Sequence, residues 1–160
     1  MLPVSKEFVD AFKKGIRLVM FDAGYDVYGT CSPIELAHIF QQNKSGGGTN
    51  LTPPLREELK RKIVSGKPLI ICIFTDGENM CHYDDLRECI AEATQAIPGK
   101  YDLAIHFFIV NPEEPDREVR TLKSDVMAAG AKFDVVHMKS FREIEQRGLI
   151  NTLIDVASSN

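Results

Sequence analysis

The sequence predicts an α/β fold: a doubly wound, mostly parallel sheet with helices packed on both faces. Three observations carry this. Strand-like and helix-like stretches alternate from end to end with short connections. Two strand-like runs, residues 69–74 and 103–110, are continuously apolar, as suits strands covered on both faces of a parallel sheet. The helical stretches carry their apolar residues on one side, so each has a face to lay on such a sheet. No linker, repeat or low-complexity stretch interrupts the alternation, and residues 1–160 read as one domain. A chain of 160 residues, 44% of them hydrophobic, is enough for a full core.

Residues 5–14 read as a short helix capped by Ser5, with Phe8 and Phe12 four apart, and Gly15 stops it. Residues 16–21 form a brief apolar strand, Asp22-Ala23-Gly24 a turn, and residues 27–30 the returning arm of a hairpin. Ser32-Pro33-Ile34-Glu35 is a capping box with proline at the first helical position, and Leu36, Ile39 and Phe40 give that helix its apolar face. A glycine-rich loop follows at residues 43–50. Leu51, Leu55, Leu59 and Ile63 then recur every four residues along an amphipathic helix ended by Gly66; the charges over residues 56–62 read as its solvated side.

The strand at 69–74 leads to a helix over 84–97, with Leu86, Cys89, Ile90, Ala93 and Ile97 inward and Asp84 and Asp85 at the positive end of its dipole. The strand at 103–110 is followed by a helix over 115–129 that Gly130 ends, and by a last strand at 133–137. Ser140 and Glu143 form a second capping box, which opens a final helix running to about residue 157.

The net charge of −4, with both signs interleaved, argues against a nucleic-acid binder, which carries a basic stripe. No apolar run approaches the length that spans a bilayer, and the first fifteen residues carry charges too early for a signal peptide. The four cysteines, Cys31, Cys72, Cys81 and Cys89, show neither CxxC nor zinc-like spacing. They read as free thiols in a reducing compartment, so the expected location is cytoplasmic.

Doubly wound sheets bind ligands at the carboxyl ends of their strands, and two clusters fall there. The first is Ser45-Gly46-Gly47-Gly48-Thr49-Asn50-Leu51, where the glycines let the backbone approach a ligand and Thr49 offers a hydroxyl just before a helix. The second is Phe74-Thr75-Asp76-Gly77-Glu78-Asn79, where the run at 69–74, read as the most buried strand, ends in a carboxylate and a sharp turn. A hydroxyl and a carboxylate from two loops, completed by water, make an oxygen-ligand site suited to Mg2+ or Mn2+. Each cluster by itself is a common loop; their order and placement are the signal.

Taken in that order, the two clusters resemble the second and third metal-site motifs of von Willebrand factor A domains: a glycine-rich loop ending in a ligand threonine, an amphipathic helix, and a buried strand ending in Thr-Asp-Gly. The likeness extends to Leu18-Val19-Met20-Phe21-Asp22, similar to the family's second strand and hairpin, and to residues 103–111, similar to the strand after Thr-Asp-Gly. The resemblance implies a Rossmann-like sheet and a metal-ion-dependent adhesion site with Thr49 and Asp76 as ligands. Ser45, Gly48 and Glu78 would stand at its border. The family's Asp-x-Ser-x-Ser motif has no match, and residues 5–15 look like what remains of the helix that follows it. The expectation is therefore a sheet lacking the usual first, central strand. Residues 16–21 would then pair directly with 69–74, or another chain would fill the gap; with direct pairing Asp22 or Asp26 would stand in for the lost motif, and the plainer reading is that both aspartates only shape the hairpin turn. Two buried strand edges left unpaired would be costly.

The remaining candidates are weaker. His106 and His137 lie in strands and read as satisfied histidines. Cys81 and His82 are sequence neighbours, which seldom converge as a nucleophile and base. The acidic, proline-containing loop at 111–116 borders the ligand edge. The expected function is that of an assembly module, not an enzyme, which binds a protein partner whose acidic side chain completes the metal shell. Dimerisation by strand exchange is a further expectation. The alternative is a Mg-dependent phosphate- or nucleotide-handling enzyme with residues 45–50 around the phosphate, although that loop lacks the lysine of a P-loop.

Overall fold

A computed structural model describes residues 6–42, 48–76, 82–109 and 117–158. Ser5, Ser45, Glu78, Cys81 and the loop at 111–116 lie outside the described residues, as do the side chains of Ser140 and Glu143. The fold is mixed α/β, with a three-stranded parallel sheet flanked by helices. The elements in chain order are α1 (Lys6–Ala11), β1 (Ile16–Phe21), β2 (Tyr25–Cys31), α2 (Pro33–Gln42), α3 (Thr52–Ser65) and β3 (Leu69–Thr75). After them come α4 (Tyr83–Gln95), β4 (Leu103–Ile109), α5 (Arg117–Ala128), β5 (Val136–Ser140), α6 (Phe141–Arg147) and α7 (Leu149–Ser158).

The strands form two sheets where one was expected. β3, β4 and β5 are parallel and in that order; β1 and β2 are a separate antiparallel hairpin. The expected direct pairing of β1 with β3 does not occur. The hairpin is bulged: Leu18 faces Gly29 while Val19 faces Val27, which leaves Tyr28 as the extra residue and increases the local twist.

α3, α4 and α5 cover one face of the parallel sheet. Leu55, Leu59, Leu86, Ile90, Leu122 and Val126 pack there with Ile73, Ile105 and Phe107. α6 and α7 cover the other face, with Ile144 and Val156 against Phe108, Ile70 and Cys72. β4 is the central strand and is buried along its whole length. The strand at 69–74, expected to be the most buried, is only half-buried over most of its length, and Phe74 is 36% exposed. The reason is its position, since among the described residues β3 has a strand on one side only.

Three local expectations change for identifiable reasons. On α3, Leu51, Leu55 and Leu59 are buried but Ile63 is exposed, and Lys62, expected on the solvated side, is buried instead. Steps of four residues drift by about 40° each on a helix of 3.6 residues per turn. Ile63 has therefore rotated away, while Lys62 returns to the direction of Leu51 and buries its aliphatic stem. The last strand runs over Val136–Ser140 rather than 133–137, because residues 131–135 complete the turn and only the Val135 carbonyl, accepting from Ile105 N–H at 2.8 Å, begins the pairing. The single final helix is two helices. Gly148 holds φ +78, a left-handed conformation favouring glycine, and its N–H bonds to Ile144 C=O at 2.7 Å to close α6. Its own carbonyl then accepts Thr152 N–H and hydroxyl, which opens α7.

The capping box of α2 forms as expected. Ser32 N–H donates to the Glu35 carboxylate at 2.7 Å and Glu35 N–H to the Ser32 hydroxyl at 3.3 Å. The bond from Ser32 holds the Glu35 carboxyl below its ordinary range. No helix among the described residues is long and apolar enough to cross a membrane.

Candidate functional site

Three loops meet at one end of the molecule. The first is the β1–β2 turn, which Asp22 shapes: its carboxylate accepts Gly24 N–H at 2.8 Å, and its N–H donates to Gly24 C=O at 2.9 Å. The second is the end of the glycine-rich loop. Asn50 N–H donates to the Asp22 carbonyl at 2.8 Å, which ties this loop to the turn. Gly48, at φ +101, lies against Ala23, whose Cα would be 3.5 Å from a β-carbon there. Thr49 follows, buried. The third loop leaves β3 at Asp76, which is exposed, and re-enters α4 at His82, whose carbonyl accepts the Thr52 hydroxyl at 3.5 Å.

Backbone bonds thus bring the Asp22 turn and Thr49 together, and the start of α3 joins them to the loop after β3. Asp76 is at the carboxyl end of β3, where the motif places it. Asp26, the other proposed replacement, is paired opposite Met20 within the hairpin, one rung beyond the Phe21–Tyr25 pair that closes the turn. The donors at this rim are a hydroxyl and carboxylates, hard oxygen ligands of the type that Mg2+ and Mn2+ take. One Asp22 oxygen is already used by Gly24. Among the described residues no three His, Cys, Asp or Glu side chains converge as a metal-binding group. A cation here would depend on the Thr49 hydroxyl, water and a partner for much of its shell.

His82 was a minor candidate in the sequence and gains weight in the structure. It is the one described non-glycine residue with positive φ, +60, and it sits at the N-cap of α4 with its ring 3.8 Å from Asp85. Backbone strain at a loop that borders a candidate site is a recurring feature of functional positions. Nothing in its local sequence announced it.

A second group was not legible at all. Cys72, His106 and His137 lie in register across β3, β4 and β5. The two imidazoles stack with centroids 4.6 Å apart, and both ring nitrogens of His106 are buried without a hydrogen-bond partner among the described residues. His106 was read as a satisfied histidine, and it is not one. Burial, helped by the neighbouring His137 and Lys139, pushes its pKa down to about 4. Burial also lowers His137, against the pull of Asp134, and pushes the Cys72 thiol up to about 11. At neutral pH Cys72 is therefore a thiol, the poorly nucleophilic form, beside uncharged rings. Cys72 packs in the cluster of Ile144 of α6 and Val156 of α7. Cys31, Cys72 and Cys89 are free cysteines.

The N-terminus of α3 bears on the phosphate alternative. Pro53 and Pro54 occupy its first turn, and no side chain caps it. Proline has no N–H, so the helix offers little of the amide array that cradles a phosphate.

The chain matches no protein-family description, no curated protein and no solved structure.

Proposed function

We propose that the chain is a protein-interaction module of the von Willebrand factor A type, used in assembly of a complex, with a partial cation site at the rim formed by Asp22, Thr49 and Asp76. The observation that carries this reading is the bond from Asn50 N–H to the Asp22 carbonyl, which sets the glycine-loop threonine beside the hairpin aspartate. In this reading Asp22 would take the part of the missing Asp-x-Ser-x-Ser motif with the carboxylate oxygen that Gly24 N–H does not occupy. In this reading the Thr49 hydroxyl and the two carboxylates hold Mg2+ or Mn2+, whose positive charge attracts an acidic side chain of the partner. The residues of the rim bind and orient in this reading, and among the described residues no nucleophile with a matched base stands there. The prolines of α3 weigh against a phosphate-handling enzyme.

Thermal unfolding in EDTA, Mg2+ and Mn2+, with an Asp76→Ala variant alongside, tests the proposal. A ligand that binds only the folded chain stabilises it by about 2.7 kcal/mol at a hundred times its Kd. The expected result is a midpoint that rises with metal concentration in the native chain and stays flat in Asp76→Ala. No rise up to millimolar metal, or an equal rise in both proteins, would remove the cation site.

A further inference from the structure

The end of the molecule opposite the rim carries a surface of another kind. α3 finishes there, and a short turn leads into the amino end of β3. The turn is compact. Gly66 N–H and the Ser65 hydroxyl both donate to Lys62 C=O, at 3.0 and 3.1 Å, and Lys67 N–H donates to the Ser65 hydroxyl at 3.4 Å. Leu69 N–H then donates to Asp102 C=O at 3.0 Å, which sets the turn beside residues 99–102, where the chain enters β4. Val64 is 89% exposed and Tyr101 65%, and no other large apolar side chain among the described residues is as open to solvent. Ile63, next to Val64, is exposed too. Lys60, Arg61, Lys67 and Lys100 are exposed around them. Arg61 reaches Glu58 at 3.8 Å and the Lys100 ammonium lies 4.7 Å from the centre of the Tyr101 ring, whereas Lys60 and Lys67 have no ion pair among the described residues. Residues 59–68 and 99–101 contain no aspartate or glutamate, so the net charge of −4 arises wholly elsewhere in the chain.

We infer that this basic, apolar pole is a docking surface for an acidic segment of a partner protein that carries large apolar side chains among its carboxylates. One exposed apolar side chain is ordinary on a protein surface. The two most exposed of this chain, brought to one pole from different connections and bordered by cations, make a contact patch. The partner's apolar side chains remove Val64 and Tyr101 from water, and its carboxylates meet Lys60 and Lys67, whose charges have no counterpart at this pole. The lysine stems extend the apolar surface while their ammonium groups stay at its border.

An anionic bilayer satisfies the same charges less well. Its surface extends past the pole and meets the remainder of the chain, which is acidic. Val64 and Tyr101 together also offer less apolar area than one myristoyl chain, which by itself anchors a protein only marginally. A short peptide segment lies within the pole and meets neither obstacle. The pole is at the amino ends of the strands and the cation site at their carboxyl ends, so the inference stands or falls apart from that site.

The test is the fluorescence of a short capped peptide of glutamate and leucine with one central tryptophan, titrated with the full chain in EDTA; the chain has no tryptophan of its own. The same peptide with lysine in place of glutamate is the control. The expected result is saturable binding of the acidic peptide alone, weakened on the order of tenfold or more by Val64→Glu and by Lys67→Glu. Tyr101→Ala, on the other connection, weakens it as well, and Arg142→Glu, which reverses a cation of α6 at the carboxyl end of β5, leaves it unchanged. Every substituted side chain is exposed, so each variant should unfold at the native midpoint. The inference is overturned if the acidic peptide does not bind at millimolar concentration, if it binds the three pole variants as it binds the native chain, or if the lysine peptide binds equally well. It is also overturned, in favour of a membrane, if phosphatidylserine vesicles sediment the native chain but not Lys67→Glu while the peptide fails to bind.

Discussion

β3 and β4 are neighbours of similar composition, LIICIFT beside LAIHFFI, yet their environments differ. No residue of β4 is more than 6% exposed, whereas Phe74 of β3 is 36% exposed and the residues from Leu69 to Cys72 are half-buried. Both strands lie under helices on both faces. What separates them is the edges: among the described residues β4 has a strand on each side and β3 on one. Apolar composition states that a strand requires covering; its neighbours decide whether it is covered. β1 repeats the lesson, with an apolar run half-buried beside an edge that has no strand partner among the described residues.

The comparison breaks most sharply at the phenylalanines. Phe107 of β4 is fully buried, and Phe107→Ala should cost about 3–5 kcal/mol by cavity formation. Phe74 of β3 stacks on Phe108 with centroids 4.9 Å apart but is partly open, so Phe74→Ala should cost less than half as much. Urea unfolding of both variants decides it; equal losses would mean that β3 is as enclosed as β4 in solution.

The next effect is the pH dependence that β4 carries through His106. Its folded pKa of about 4 lies below the ordinary 6.5, so the unfolded chain binds this proton more tightly than the folded one. The contribution of His106 is thus fully present above pH 6.5 and is lost progressively as pH falls toward 4, by at most about 3 kcal/mol. His106→Leu removes the two orphaned nitrogens and should flatten the stability profile between those limits. A profile as steep in the variant as in the native chain would assign the dependence to other groups.

The smallest effect is at the hairpin. Arg17→Met removes the pair with Glu58, which is largely covered, and should cost about 1–2 kcal/mol. Because that pair fastens β1 to α3, exchange should quicken in β1 and not in β4. Uniform quickening would show that the hairpin and the parallel sheet open together.

Much of the local structure was legible. The strand at 16–21 and its hairpin, the Ser32–Glu35 capping box, and the helices at 52–65 and 83–95 follow from periodicity and caps that act within a few residues. The departures are equally physical. Lys62 replaced Ile63 because a four-residue repeat overruns the helical turn. The final helix divides at Gly148, a glycine within a helical pattern whose left-handed backbone ends α6. Pro53 and Pro54, which strip α3 of amides, were in plain view. Of the site, the chain order placed Asp22, Thr49 and Asp76 in loops, but only the Asn50–Asp22 bond ties the first two loops together. The Cys72–His106–His137 row had no sequence signature, since it depends on the register between strands more than thirty residues apart.

The sequence alone determined the order of the strands and of most helices, most of their apolar faces and the Ser32–Glu35 cap, because these depend on side-chain spacing and on backbone groups within a turn or two. The tertiary structure decided which strand edges meet. β4 became the enclosed strand and β3 a half-open one, and β1 stayed with β2. Backbone hydrogen bonding is the same for every residue except proline, so strand pairing has no local code; it is settled by where the helices place the strands.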